Sequence, residues 1–301
     1  MVLHNFDEVV ARVKEAPERK IVAVAAANDS HTLEGVIHAR REGIVEPLLV
    51  GDKAVILSEL EKLQETVPEE NIFDEPDIQK ACEKAVKLVH GGDANFLMKG
   101  KVDTKIILHE AVNKDYGLST GRLMSHFTMF QIPTYHKMIL PCDGGMVTYP
   151  DLQKKKQIIE NNVETLRALG YDCPKVGVLT CVEKVNPKMP ETLDAAELQA
   201  MNERGEIKNC IVEGPIPYDC AMSKEFAEFK GLNSRIAGDV DILLAPNIHA
   251  GNIMGKMYAI SCKGTMAGFI VGASCPIVMV SRNSSAEEKY LSIVVSAAAA
   301  N

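Results

Sequence analysis

Short apolar runs alternate with stretches of helical periodicity along the chain. Residues 21–27 (IVAVAAA) carry no polar alternation, as expected of a parallel strand buried on both faces. Asn28, Asp29 and Ser30 then offer N-cap oxygens to a periodic segment from Thr32 to Glu42, and Gly43 can close that helix. Residues 47–51 read as the next strand, and residues 78–90 have helical spacing that stops at Gly91-Gly92. This rhythm predicts a parallel sheet covered by helices.

A change comes near residues 139–145. From Asp151 to Leu169 the apolar residues Ile158, Ile159, Val163, Leu166 and Leu169 mark one helical face, followed by Gly170. Residues 176–179 read as a strand that opens a second alternating set. Residues 184–191, with two prolines, read as a surface loop, and residues 194–203 as a helix. Pattern alone therefore gives two consecutive α/β domains. No internal repeat or low-complexity tract is evident.

Two strand-to-helix turns stand out. The apolar run at residues 240–245 breaks at Pro246 and restarts as a helix near Gly251-Asn252, which would aim unpaired backbone N–H groups at one spot. Gly251 would let a ligand approach the main chain, the helix start favours an anion, and Asn252 adds a side-chain amide. At the C-terminus, residues 275–280 run into Ser281-Arg282-Asn283-Ser284-Ser285-Ala286-Glu287-Glu288. Two such turns, one carrying Ser and Arg, point to a phosphorylated substrate.

Composition narrows the class. The 301 residues leave room for two α/β lobes, and 46% hydrophobic with 25% charged residues is ordinary for a soluble globular protein. A net charge of −8 argues against a nucleic-acid partner, so an anionic substrate must be held by local donors. The eight cysteines include no CxxC pair, which points to reduced thiols rather than disulfides or a zinc site. No signal-peptide pattern opens the chain and no apolar stretch is long enough to span a bilayer, so a cytoplasmic protein without a membrane partner is expected. Neither GxGxxG after a strand nor GxxxxGK[ST] occurs.

The order of several motifs resembles the phosphotransacylase (phosphate acetyl/butyryltransferase) family, and its butyryltransferases most. These are APNIHAGNIMGKM at 245–257, PIVMVSR at 276–282 and SAEEKYLSI at 285–293. Upstream lie ANFLMKG at 94–100, NKDYGLSTGR at 113–122, and GPIPYDCA at 214–221, which matches the family's GPxxxDxA. The resemblance runs from about Ile21 to Ile293. It implies an α/β fold of two α/β/α three-layer lobes with a cleft between them, an isocitrate/isopropylmalate dehydrogenase-like architecture. Its C-terminal segment would return to the first lobe, giving 1–138 plus 269–301 and 139–268. It implies transfer of a butyryl or similar short or branched acyl group between coenzyme A and inorganic phosphate. Coenzyme A is then a substrate, no metal or other cofactor is needed, and a homodimer or higher homo-oligomer is expected.

The same resemblance implies site residues, each with a competing reading. Ser281 and Arg282 match the family's catalytic Ser-Arg pair: Arg282 would clamp phosphate through its planar fork and Ser281 would hydrogen-bond the developing oxyanion. The alternative makes Arg282 a surface residue after an edge strand. Glu288 aligns with the acidic position where Asp is expected to deprotonate the thiol, but Ser285 and Glu288 also fit a capping box, and Glu287 is the neighbouring alternative acid. Gly251 and Asn252 are substrate-binding candidates against a turn that needs glycine for geometry alone. His249 is a donor or a structural histidine. Lys99 and Arg122 are anion clamps or solvated cations. Asp219 would order the cleft wall, and Thr180 and Lys184 would border it. Pocket volume decides acetyl against butyryl, each methylene being worth roughly 1–3 kcal/mol.

Two other classes remain open at this point. A metal-dependent hydroxyacid dehydrogenase would need a carboxylate cluster, and no compact acidic motif stands out. A non-catalytic phosphate or acyl-CoA binder is opposed by the intact Ser281-Arg282 pair.

Overall fold

The computed structural model describes residues 2–280 and 284–300. The chain opens with α1 (Phe6–Lys14), β1 (Lys20–Ala25), α2 (Ser30–Arg41), β2 (Val45–Gly51), α3 (Lys53–Lys62), β3 (Ile72–Asp74), α4 (Ile78–His90), β4 (Phe96–Lys99) and α5 (Thr104–Ala111). Next come β5 (Ser125–Gln131), β6 (Leu140–Cys142), α6 (Leu152–Ala168), β7 (Lys175–Leu179), α7 (Pro190–Glu203) and β8 (Ile211–Ile216). They are followed by α8 (Tyr218–Met222), α9 (Lys224–Phe229), β9 (Ile242–Leu244), α10 (Ile248–Lys256) and a π-helical turn, Met257–Ser261. The last elements are β10 (Thr265–Val271), β11 (Ile277–Val278) and α11 (Ala286–Ala299).

Contacts divide the chain into two compact units. The first is Phe6–Arg122 with Ala267–Asn301, and the second is Met1–Asn5 with Leu123–Met266. In the first unit the strands follow the order β3-β2-β1-β4-β11-β10. All neighbours are parallel except β10, which runs antiparallel to β11. The apolar run of β1 is buried along Val22–Ala25, because strands pair on both sides and helices cover the faces. Asp29 caps α2 by accepting from Thr32 N at 2.9 Å, and Asp77 caps α4 by accepting from Lys80 N at 2.9 Å. Helix α11 packs so closely on α2 that a Cβ at Gly35 would lie 2.9 Å from Lys289 Cβ.

In the second unit the parallel strands follow the order β6-β9-β7-β8. Phe130, Ile139, Ile236, Val240, Leu243 and Tyr258 share its core. Asp151 caps α6 through Lys154 N at 2.9 Å, and Gly170 ends the segment at φ +91°. The N-terminal ends of the strands hold an ionic cluster. Lys137 Nζ lies 2.7 Å from Asp241 Oδ1 and 2.8 Å from Asp239 Oδ1, and Lys175 also pairs with Asp239.

The division falls at 122/123 and 266/267, not at 138/139 and 268/269, and residues 2–5 go with the second unit. Hydrogen bonds explain the placement. Phe130 and Ile139 exchange backbone bonds at 2.8 and 3.0 Å, and Asn161 Nδ2 donates to Leu123 O and Ser125 Oγ, so β5 joins the second unit. Leu3 N donates to Tyr171 Oη at 3.1 Å while Leu3 O accepts from Met138 N at 2.9 Å. Two consecutive domains, the reading from pattern alone, give way because β11 inserts between β4 and β10 of the first unit.

Candidate functional site

At the C-terminal end of β9 the chain turns through Ala245, Pro246 and Asn247 into α10. The helix begins at Ile248, earlier than the Gly251-Asn252 start expected from sequence, because Asn247 is its N-cap. Asn247 Oδ1 accepts from His249 N at 3.1 Å and Ala250 N at 3.2 Å. Ile248 N donates to Thr148 O at 2.9 Å and Gly251 N to Asn247 O at 3.1 Å. The donors expected to face an anion are thus engaged within the protein, which corrects the reading of this turn as an open anion cradle.

Gly251 sits where two main chains touch. A Cβ there would lie 2.3 Å from Asp143 O, and one at Gly144 would lie 2.9 Å from the Gly251 carbonyl carbon. The residue is therefore required by packing. Asn252 is exposed, with Nδ2 donating to Gly144 O at 2.9 Å, so its amide orientation is fixed by the facing loop. His249 is also exposed, with Nε2 2.9 Å from Tyr149 Oη. Asp143 holds that loop: its carboxylate accepts from His126 N, Gly145 N and Met146 N, each at 2.7 Å. Burial holds the His126 imidazole below its ordinary pKa, against the opposing pull of the Asp143 charge.

Beside α10 opens an apolar pocket of ≈ 470 Å³. Leu179, Thr180 and Cys181 enter it from the end of β7, Ala245 and Pro246 from the end of β9, and Tyr218 from α8. The start of α7 adds Met189, Glu191 and Thr192, and Met257 and Tyr258 close the far side. The C-terminal edge of a parallel sheet is where such folds bind ligands. Thr180 borders this pocket; Lys184 is not among its lining residues. Nearby in the GPIPYDCA stretch, Lys230 Nζ bridges Asp219 at 2.9 Å and Glu183 at 2.8 Å. Asp219 also accepts from Cys220 N at 2.8 Å, so it holds the start of α8 to Lys230.

In the first unit, Lys99 ends β4 and is 5% exposed, with Nζ 3.2 Å from Val102 O and 3.4 Å from Gly100 O. It is not a solvated cation. Arg122 is exposed and closes the 113–122 stretch. That stretch is tied down by Thr120 Oγ1 donating to Gly272 O at 2.7 Å and by Tyr116 Oη donating to the Glu110 carboxylate. Glu110 is buried, yet hydrogen bonds from Tyr116, His109 and Gln79 outweigh burial and hold its carboxyl below the usual range. Glu110 in turn pushes Tyr116 up to about 12.

Ser285 Oγ accepts from Glu288 N at 3.1 Å, so the capping contact expected at the start of α11 is present. It engages the backbone of Glu288, whose carboxylate is partly exposed, and Glu287 is exposed. Ser281 and Arg282 lie outside the described residues. Among the described residues, no group of three or more His, Cys, Asp or Glu is placed to hold a metal ion, and no helix is long and apolar enough to cross a membrane.

Sequence reasoning passed over the pocket itself. Its signal is the spacing of Ala250, Ile253, Met254 and Met257, one face of α10 at i, i+3, i+4 and i+7. That pattern reads as core-facing and gives no hint that the face borders open space.

Comparison with known proteins places the chain. The family model described as "Phosphate acetyl/butaryl transferase" matches residues 70–297. A phosphate butyryltransferase from Clostridium acetobutylicum is 42% identical, over 98% of this chain and 98% of the relative. A phosphate acetyltransferase from Thermotoga maritima is 41% identical, over 92% of this chain and 94% of the relative. Among solved structures, a branched-chain phosphotransacylase from Enterococcus faecalis superposes with a TM-score of 0.82 at 28% identity, covering 94% of this chain and all of that one.

Proposed function

Because the chain belongs to the phosphate acetyl/butaryl transferase family, we propose that it exchanges a butyryl or similarly short or branched acyl group between coenzyme A and inorganic phosphate. What supports an acyl group longer than acetyl is the apolar pocket of ≈ 470 Å³, which has room for a straight or branched chain of several carbons. A phosphate oxygen attacks the thioester carbonyl, a C–O bond forms and the C–S bond breaks. The phosphate proton ends on the departing sulfur, so acyl-CoA and hydrogen phosphate become acyl phosphate and free coenzyme A.

The chemistry asks for cations on phosphate, a donor for the carbonyl oxygen as it gains charge, and an acid–base group for the thiol. By family resemblance Arg282 clamps the phosphate, Ser281 donates to the oxyanion and Glu288 exchanges the thiol proton. Lys99 and Arg122 supply further positive charge in the first unit. Asn252 and His249 offer polar groups beside the pocket, with Asn252 held in one orientation by Gly144. Gly251 contributes through the close packing that lets α10 sit where it does.

No cofactor enters this scheme, and the working form is a homodimer or larger assembly. Purified protein given butyryl-CoA is expected to release thiol only when phosphate is present, at a rate unaffected by a chelator. Activity lost in the chelator and restored by magnesium would overturn the cofactor-free scheme in favour of metal-dependent chemistry. Thiol release that ignores phosphate would make the protein a thioester hydrolase. A monomer mass in light scattering of the active protein would remove the oligomer.

A further inference from the structure

We infer that the pocket at the C-terminal ends of β7 and β9 is the acyl-chain pocket, and that Ala250 and Met254 of α10 set the chain length it accepts. The inference rests on the acyl-transfer reading above and adds the residues that fix its specificity.

The lining chemistry selects hydrocarbon. Leu179, Ala245 and Tyr258 form a floor that is 9%, 1% and 2% exposed. The threonine hydroxyls around it already donate within the protein, and the two tyrosine hydroxyls bond to each other. Thr180 Oγ1 donates to Val182 O at 2.7 Å, Thr192 Oγ1 to Met189 O at 2.7 Å, and Tyr218 and Tyr258 share a hydrogen bond of 3.0 Å. The charged lining residue is Glu191, an anion. Inorganic phosphate or the diphosphate of coenzyme A would meet a like charge and no cation there. The amides of the pantetheine arm would exchange water for few partners: one hydroxyl proton of the tyrosine pair, the hydroxyl lone pairs and the Cys181 thiol. An alkyl chain loses nothing polar and gains from apolar burial and dispersion contact.

Size and shape favour a chain longer than acetyl. A dry apolar cavity of about 150 Å³ is enough to hold benzene. The present pocket, at ≈ 470 Å³, takes a straight or branched chain of several carbons. Two of its lining side chains are small, Ala245 at the end of β9 and Ala250 one turn before Met254. Ala245 lies in the floor beside the strands, whereas Ala250 and Met254 project from the helix, where a change of side chain alters volume without moving the sheet. Methionine at 254 is an adaptable wall that fits straight and branched chains alike.

The test compares wild type with Ala250→Leu, which fills the pocket, and Met254→Ala, which enlarges it. For each protein kcat/KM is measured with acetyl-CoA, butyryl-CoA, isovaleryl-CoA and hexanoyl-CoA in saturating phosphate, with the melting transition recorded as a check on folding. Ala250→Leu is expected to lower the butyryl-to-acetyl ratio by roughly 10–200-fold, the range one methylene commands in an apolar pocket. Met254→Ala is expected to raise the hexanoyl-to-butyryl ratio, so a poorly folding Ala250→Leu would still leave a readable result. Equal losses with all four substrates in both variants would overturn the inference. If wild type turns over no acyl-CoA, the acyl-transfer reading has failed instead. The pocket is then judged by equilibrium binding of acetyl-CoA and butyryl-CoA. A selective loss of butyryl-CoA affinity in Ala250→Leu sustains it, and unchanged relative affinity removes it.

Discussion

At the N-terminal ends of β6, β7 and β9 the second unit buries charge: Lys137 and Asp241 are each 3% exposed and 2.7 Å apart, with Asp239 and Lys175 joined to them. At the C-terminal ends of β7 and β9 it leaves space, and the pocket there is walled by aliphatic, methionine and aromatic side chains. Both ends belong to one sheet with one register. The difference lies in what each end does with the groups it removes from water. Charges at the first end satisfy one another and cannot be altered singly. At the second end the unfilled contacts are waiting for a ligand, so side chains can change there with less harm to the fold.

Lys137→Met is the most severe way to break this contrast. It leaves Asp241 buried beside Asp239 without its cation, a change expected to cost on the order of 3–5 kcal/mol by denaturant unfolding. Turnover per folded molecule should survive. A loss near zero would mean that water reaches Asp241 as it already reaches the partly exposed Asp239.

Asn247→Ala acts at the open end and is expected to cost about 1 kcal/mol of stability, through the loss of a cap that serves His249 N and Ala250 N. It should lower activity more than its stability change implies, because α10 carries one wall of the pocket. Stability loss with unchanged kinetics would detach the helix start from substrate binding.

The smallest effect is a pH dependence at the charged end. Burial raises the Asp239 pKa, but hydrogen bonds from Lys137 and Lys175, the Lys137 charge and a hydrogen bond from His136 outweigh it, so the carboxyl titrates well below its usual range. A depressed folded-state pKa contributes stability that is present above the unfolded value of about 3.9 and lost as pH falls below it. Asp241 runs the other way: burial raises its pKa, so its contribution weakens stability as pH rises above about 4. Asp239→Asn is therefore expected to flatten the acid-side fall in melting temperature below about pH 4. An unchanged acid limb would assign that fall to other carboxylates.

Elements governed by local chemistry were legible in the sequence. The helix at Ile78–His90 has its expected bounds, and Asp29, one of the three residues that offered an N-cap oxygen, caps α2. What escaped depends on partners distant in sequence. Nothing near Leu3 indicates Tyr171 or Met138, and nothing in residues 277–278 says that they pair with β4. The start of α10 was misplaced because Pro246-Asn247 and Gly251-Asn252 both look like turns, and the Asn247 side chain decides between them. The burial of Lys99 was equally invisible, since a lysine at the end of an apolar strand normally reaches water.

The contact between Gly144 and Gly251 divides α10 into a face that can be redesigned and one that cannot. An enlarged side chain in most cores can be accommodated by trimming a neighbour. Here the nearest atoms are main chain, those of Asp143 and Gly144 against Gly251 and those of Gly251 and Asn252 against Gly144, so there is nothing left to trim. A mutant library aimed at new acyl substrates can vary positions 250, 253, 254 and 257 together, provided that 144 and 251 are held fixed.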